Sequence, residues 1–300
     1  MTMARNATWA NMGTEVNDCN TLNEVMQKAG LDYQVEKRKI QFNMNGFHTL
    51  KDKMVTVEKG NPDHVFGVVG KDYEICQNVD AFDFVDCIDG QMKFLKAGET
   101  KSGKIYIIGE LPEVEVLGDM VRPHLIFQNS HNGTSKVMAN LCMLRIVCQN
   151  QFAAAFKNAA NAIRIKHSTQ MVDRLEQARM TIQKSYEYIQ DYKDLAGKFA
   201  VKHISDNIIQ GIIKEMLKIE SEADMNKTQT LKFNAFNEAY RADDNANFVG
   251  TAWGVINAYT DFATHLPAGR NTKTYEEKLF LNNTFDNAEL GRLINRLEAI

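Results

Sequence analysis

The strongest constraint on this chain of 300 residues is a change of period. Up to about residue 167, apolar residues recur at every second position in short runs broken by turn residues. After Ser168 they fall three, four or seven apart and stay so: Met171, Leu175, Ala178, Ile182, Ile189, Tyr192 and Phe199. Strands alternate faces with period two and helices with period 3.6, so a β-rich part precedes a helical one. Strands followed by helices, rather than strict alternation of the two, make an α+β fold. The expected architecture is an antiparallel β-rich module with packed helices over residues 1–167, then an α-helical region over 168–300, packed on it or used for oligomerisation.

Local signals divide the first part further. Thr21 can cap a helix carrying Leu22, Val25, Met26 and Ala29, with Gly30 as its stop. Residues 33–37, 39–42, 55–57 and 65–69 read as strands, with a turn at Gly70–Asp72 leading into 73–76. Asn78 opens a helix with Ala81, Phe82, Phe84, Val85 and Ile88, closed by Gly90. A hairpin over 92–97 and 105–109 turns at Lys101-Ser102-Gly103. A second, over 123–128 and 135–141, turns at Asn132-Gly133, the strongest short hairpin signal. Residues 143–148 read as another strand, and the Ala-rich run from Asn150 (Phe152, Ala153, Ala155, Phe156, Ala159, Ala160, Ile163) as a helix on the sheet. Further helices are expected over 204–217, 226–241, 247–265 and 287–299.

Charge is distributed unevenly. Residues 121–167 hold six basic residues, Arg122, Lys136, Arg145, Lys157, Arg164 and Lys166, and no Asp or Glu, in a chain of net charge −3. The middle of this stretch, Gln128 to Lys136, packs amides, hydroxyls, His131 and a lysine into one turn, where function often sits. A basic, acid-free surface fits a polyanion. Lysine and arginine neutralise phosphates, and Ser, Asn and main-chain N–H groups bond their oxygens. The candidate nucleic-acid contacts are Arg122, Ser130, His131, Asn132, Lys136, Arg145, Asn150, Lys157, Arg164, Lys166 and His167. Phe127, Phe152 and Phe156 are either stacking platforms or core.

Other chemistries find less support. No G-x-G-x-x-G, Walker A, H-E-x-x-H or G-x-S-x-G pattern occurs. Cys148 with His131 or His167 could form a nucleophile–base pair, with Arg145 three residues away, although a Cys ending an apolar run more often packs as a small core residue. His131 and His167 have no nearby carboxylate for a metal, and no cofactor is expected. The five cysteines lack C-x-x-C spacing and fit reduced thiols. No apolar run long enough to cross a membrane exists and no apolar segment follows the first residues, so a cytoplasmic protein without a signal peptide is expected.

Three motifs carry a resemblance: Asn129-Ser130-His131-Asn132-Gly133-Thr134, Arg145-Ile146-Val147-Cys148-Gln149-Asn150-Gln151 and Ile165-Lys166-His167-Ser168. With Trp9…Gly13, Ala29 to Glu36 and Gly250-Thr251-Ala252-Trp253-Gly254, they resemble the phage/plasmid-like family with the domain of unknown function numbered nine hundred and thirty-two. That family has no settled activity. The resemblance implies a passenger of phages or plasmids in a bacterial host cell and, by analogy of fold, a likeness to ring-forming single-strand annealing proteins. Where the family has Asp after its His, this chain has Asn132. A carboxylate-dependent chemistry would be impaired by that change; a binding turn would tolerate it.

The expected function is therefore a DNA-metabolism protein that binds single-stranded DNA, a homo-oligomer acting in single-strand annealing or recombination rather than an enzyme. The alternatives are a non-catalytic protein that binds a host factor through its acidic first 120 residues, and an enzyme acting on nucleic acid or a nucleotide through Cys148 and His131.

Overall fold

The computed structural model describes residues 9, 12–88, 92–134, 137–147, 149–153, 162–164, 171–265, 280 and 287–300. Two antiparallel sheets and a set of C-terminal helices make up the α+β fold that the change of period predicts. The larger sheet, the body, has the order β1 (Thr14–Glu15), β5 (Lys93–Glu99), β6 (Lys104–Glu110), β8 (Asp119–Ser130), β9 (Met138–Arg145) and β10 (Gln151–Phe152). β7 (Val114–Val116) pairs with β8, and β11 (Ala162–Arg164) with β9. The smaller sheet, β2 (Val35–Asn43), β3 (Phe47–Glu58) and β4 (Asn61–Gly70), is a meander inserted between α1 (Leu22–Ala29) and α2 (Asn78–Phe82).

The central strands of the body are buried on both faces, and each face has its own core. Ile105, Ile107, Leu125, Phe127, Ala139, Leu141 and Met143 face the helices, in one cluster with Phe84, Tyr192, Phe199 and Trp253. Their alternates, Tyr106, Ile108, Ile126, Cys142 and Leu144, face Trp9, Ala153 and Phe280. Two-sided burial makes β9 buried without interruption from Ala139 to Arg145. It also accounts for one correction: residues 143–145 are not a separate strand but the end of β9.

Local chemistry sets the helix ends. Thr21 Oγ1 accepts from the Glu24 N–H while Glu24 reaches back to the Thr21 N–H, and Gly30 ends α1 in the left-handed conformation, φ 66°. α2 is shorter than the expected helix and tightens into a 3₁₀ turn over Asp83–Cys87. In the C-terminal part, α3 (Met171–Ala200), α4 (Asp206–Leu217), α5 (Lys227–Tyr240), α6 (Ala252–His265) and α7 (Ala288–Glu298) fall close to their predicted places. α6 is buried along most of its length, as an all-round apolar helix must be. Asn245 holds the turn before it by donating to the Tyr240 and Gly254 carbonyls. The expected helix over 150–163 is corrected at both ends, because Phe152 lies in β10 and Ile163 in β11; residues 154–161 lie outside the described residues.

Candidate nucleic-acid interface

The hairpin at the centre of the stretch forms as read, but Asn129 and His131 beside its turn point inward. β8 and β9 pair from Val121↔Arg145 to Gln128↔Met138, and the predicted Asn132-Gly133 turn follows β8. Alternation along β8 sends Asn129, and the turn that follows it sends His131, toward the start of α2. There Asn78 Oδ1 accepts from Asn129 Nδ2 at 3.1 Å and meets His131 Nε2 at 2.9 Å. Asn78 Nδ2 donates to the Leu31 carbonyl, which fixes Oδ1 as the acceptor, so His131 carries its proton on Nε2. Fully buried, with its Nδ1 bonded to nothing described, His131 has its pKa lowered to about 4, by burial first and by His64 second. This places a neutral imidazole inside the fold, so the expected phosphate contact by His131 is not met. Ser130 is 2% exposed, and its carbonyl accepts from the Tyr73 hydroxyl.

Asn132 stays near the surface. Its Nδ2 donates to the Ser102 carbonyl at 3.0 Å and its Oδ1 accepts from the Thr134 N–H and hydroxyl, so it ties two turns together. An aspartate at this position would have no donor for the Ser102 carbonyl.

The two basic side chains of the stretch that are described, Arg122 and Arg145, are each held by acids. Arg145 is 4% exposed; its guanidinium donates to Asp119 at 2.5 and 3.1 Å and to the Asp244 carbonyl at 3.2 Å. Arg122 pairs with Glu113 and lies 3.7 Å from Glu110. Asn150 is buried against His265 and its carbonyl accepts from the Arg145 N–H. These three were expected to contact phosphate and instead join elements. Lys136, Lys157, Lys166 and His167 lie outside the described residues, as does Cys148; Arg164 is described only as the end of β11, paired with Met138. Phe127 and Phe152 are core.

The sequence reading found the base of the smaller sheet, in strands at 35–42, 55–57 and 65–69, but missed its outer part between residues 43 and 54. Its strands β2 and β3 run on past the body as an arm, joined at Asn45-Gly46, where both residues have positive φ, 54° and 131°. β3 spans 12 residues, about 40 Å at the usual rise, and every residue from Phe47 to Lys53 is exposed. Positions 37–53 carry Lys37, Arg38, Lys39, Lys51 and Lys53 against one acid, Asp52. Lys39, Lys51 and Lys53 are exposed and pair with no described carboxylate. Between these cations the tip shows Phe42 at 48%, Met44 at 67%, Phe47 at 78% and Leu50 at 41% exposure. Phe42 stacks on His48, centroids 5.5 Å apart and planes 27° apart, and His48 is held by the Met44 carbonyl. The signal that could have found this arm was the second Asn-Gly pair.

The base of the arm docks on the turn after β8. Thr56 Oγ1 donates to the His131 carbonyl at 2.7 Å, and Gly67 lies so close to Asn132 that a Cβ there would meet the Asn132 Cβ at 2.8 Å. Beside this junction a polar cleft is lined by residues 29–33, Glu58, His64 and Glu99.

Among the described residues, no group of three or more His, Cys, Asp or Glu side chains is arranged to hold a metal ion. Cys142 is fully buried, which pushes its pKa up to about 12 and leaves it an inert thiol. No described helix is long and apolar enough to cross a membrane.

Neither a curated protein nor a solved structure is significantly similar to the chain. A family model does match, over residues 65–284, starting in β4 and taking in β5 to β11 of the body sheet and the helices from α2 to α6. With nearly three quarters of its length matched, the chain belongs to the family defined by a domain of unknown function, DUF932.

Proposed function

We propose that this protein binds single-stranded DNA through the β2–β3 arm. The observation that carries the reading is the pairing, on one projecting ribbon, of unneutralised cations (Lys39, Lys51, Lys53) with solvent-exposed rings (Phe42, Phe47). Cations along a strand neutralise the backbone, and exposed rings stack on unpaired bases, which a duplex does not offer. Leaving Phe47 78% exposed otherwise costs the free protein solubility without return. The contact surface is thus moved from the central turn to the arm, and the central residues become its footing.

Strand annealing, the finer expectation, needs two strands held together. With one arm per chain this requires at least two copies, so annealing and a homo-oligomer stand or fall as one proposal; light scattering with and without oligonucleotide tests it.

The test of binding is fluorescence anisotropy of a labelled single-stranded oligonucleotide across a salt series. Lys39, Lys51 and Lys53 changed together to Gln should make the log–log salt slope shallower by about 2, since single strands give roughly 0.7 per phosphate. Phe42→Ala with Phe47→Ala should weaken binding by about 1–3 kcal/mol per lost stack while leaving the slope alone. Equal binding by all three proteins, or equal preference for duplex, overturns the reading. No binding at low salt overturns it too and leaves the apolar tip as a protein-docking surface.

A further inference from the structure

The cleft beside the arm holds a histidine between two carboxylates that belong to different sheets. His64, on β4, places Nδ1 2.9 Å from Glu58 Oε2 and Nε2 3.3 Å from Glu99 Oε1. Glu58 ends β3 and Glu99 ends β5, so the ring spans the arm sheet and the body sheet. We propose that Glu58, His64 and Glu99 form a proton-operated clasp that fastens the arm to the body, closed while the imidazole is doubly protonated and opened when it loses one proton. The clasp goes beyond the binding reading and does not depend on it.

The geometry requires two donors. A carboxylate only accepts, and a neutral imidazole has one N–H, so one of the two contacts would then set a lone pair against a carboxylate oxygen. The surroundings leave little slack. Glu58 Oε2 already accepts from Asn61 at 3.0 Å, and the other oxygen of Glu99 accepts from the Tyr33 hydroxyl at 2.9 Å. Asp32 lines the same cleft, and no cation does. Behind the ring, His131 is kept neutral by burial, and Phe66 packs 4.4 Å from His64, centroid to centroid. Loss of one proton should leave the shorter Glu58 contact in place and break the longer, cross-sheet one to Glu99.

Burial of the imidazole works against its charge, but the hydrogen bonds and charges of Glu58 and Glu99 outweigh it, and the pKa of His64 lies above the ordinary histidine value. A group raised in the folded state gives stability that is complete below its unfolded pKa, about 6.5, and is lost as pH rises through the folded value. The clasp is therefore closed in mild acid and opens as pH rises through a value above the ordinary histidine pKa. Thr56 still holds the His131 carbonyl, so opening frees the base of the arm without detaching it.

The full chain tests this without nucleic acid, so the clasp and the binding reading can fail separately. Imidazole resonances of His64 should titrate with a midpoint above 6.5 in the native protein, and lower in Glu99→Gln. Hydrogen exchange of the amides at 58–66, corrected for the intrinsic pH effect, should quicken roughly three- to tenfold from pH 6 to pH 8.5, the range open to one charge-assisted bond on a partly exposed group. In His64→Gln and in Glu99→Gln that dependence should vanish, while unchanged exchange in α6 shows that the variants are folded. A midpoint at or below 6.5, or exchange in the native arm that ignores pH, overturns the proposal, as does a pH dependence that survives both variants.

Discussion

Arg145 provides the sharpest test of whether the central basic residues support the fold or meet a ligand. It is 4% exposed, while its partners Asp119 and Asp244 keep 29% and 20% exposure. Removing one member of a buried pair strands the other, and the cost depends on whether the survivor can reach water. In Asp119→Ala the guanidinium stays buried and loses the carboxylate that takes two of its hydrogen bonds, with the Asp244 carboxylate 4.0 Å away and the Asp244 carbonyl still bonded, so a loss of about 3 kcal/mol is expected. In Arg145→Met the surviving carboxylates are partly solvated and the new side chain fills most of the volume, so the loss should be about 1–2 kcal/mol. The double variant should resemble Arg145→Met, so that adding the second change rescues about half of the damage of the first. Urea denaturation followed by far-UV circular dichroism measures all three. An Asp119→Ala protein as stable as Arg145→Met, or a double variant worse than either, refutes a structural pair. So does a change in the DNA-binding salt slope on removing Arg145, because that slope counts charges that meet phosphate.

Three further outcomes are expected. Acid should destabilise the fold through its buried histidines: burial lowers His124 to about 3 and His131 to about 4. Groups depressed in the folded state give stability that is whole above about pH 6.5 and falls as pH drops toward those values, by up to about 1.4 kcal/mol per pH unit for each; His131→Asn should flatten the upper part of that decline in an acid titration of stability. Gly67→Ala should push the base of the arm away from Asn132 and raise hydrogen exchange across residues 65–69, whereas unchanged exchange there would contradict the docking described. Gly254→Ala drives a Cβ to 2.1 Å from the Phe248 carbonyl oxygen beneath α6 and should cost several kcal/mol in the same urea assay.

What the sequence made legible was whatever burial imposes on it. The hairpin at Asn132-Gly133, the capped helix at Thr21 and the C-terminal helices follow from patterns that a core enforces. The arm escaped because its outer part is exposed: from Met44 to Lys53 lone apolar residues stand three apart among polar ones on a ribbon wet on both sides, so no face has to be apolar. The basic stretch misled for a different reason. Charge counted along a window ignores pairing across strands, and Asp119 lies two residues before the acid-free window while Glu113 lies eight before it. Those two acids are the ones that fold back onto Arg145 and Arg122. Asn78, which holds the His131 ring, looked only like the start of a helix.

β2 is an outer strand of its sheet, and through its exposed half it presents a row of main-chain groups with no neighbouring strand on that side among the described residues. Such a margin is a template on which a second chain can add a strand, and lysines are a common means of preventing it. Lys39 sits on that margin, so the charge proposed to meet phosphate would also oppose edge-to-edge pairing. Removing it in favour of a β-branched apolar residue would trade solubility for fibres, which is a reason for the glutamine in the variants above. It also sets a limit on evolution at this position: a relative that lost its charged ligand would still be held to a polar, strand-breaking or covered edge.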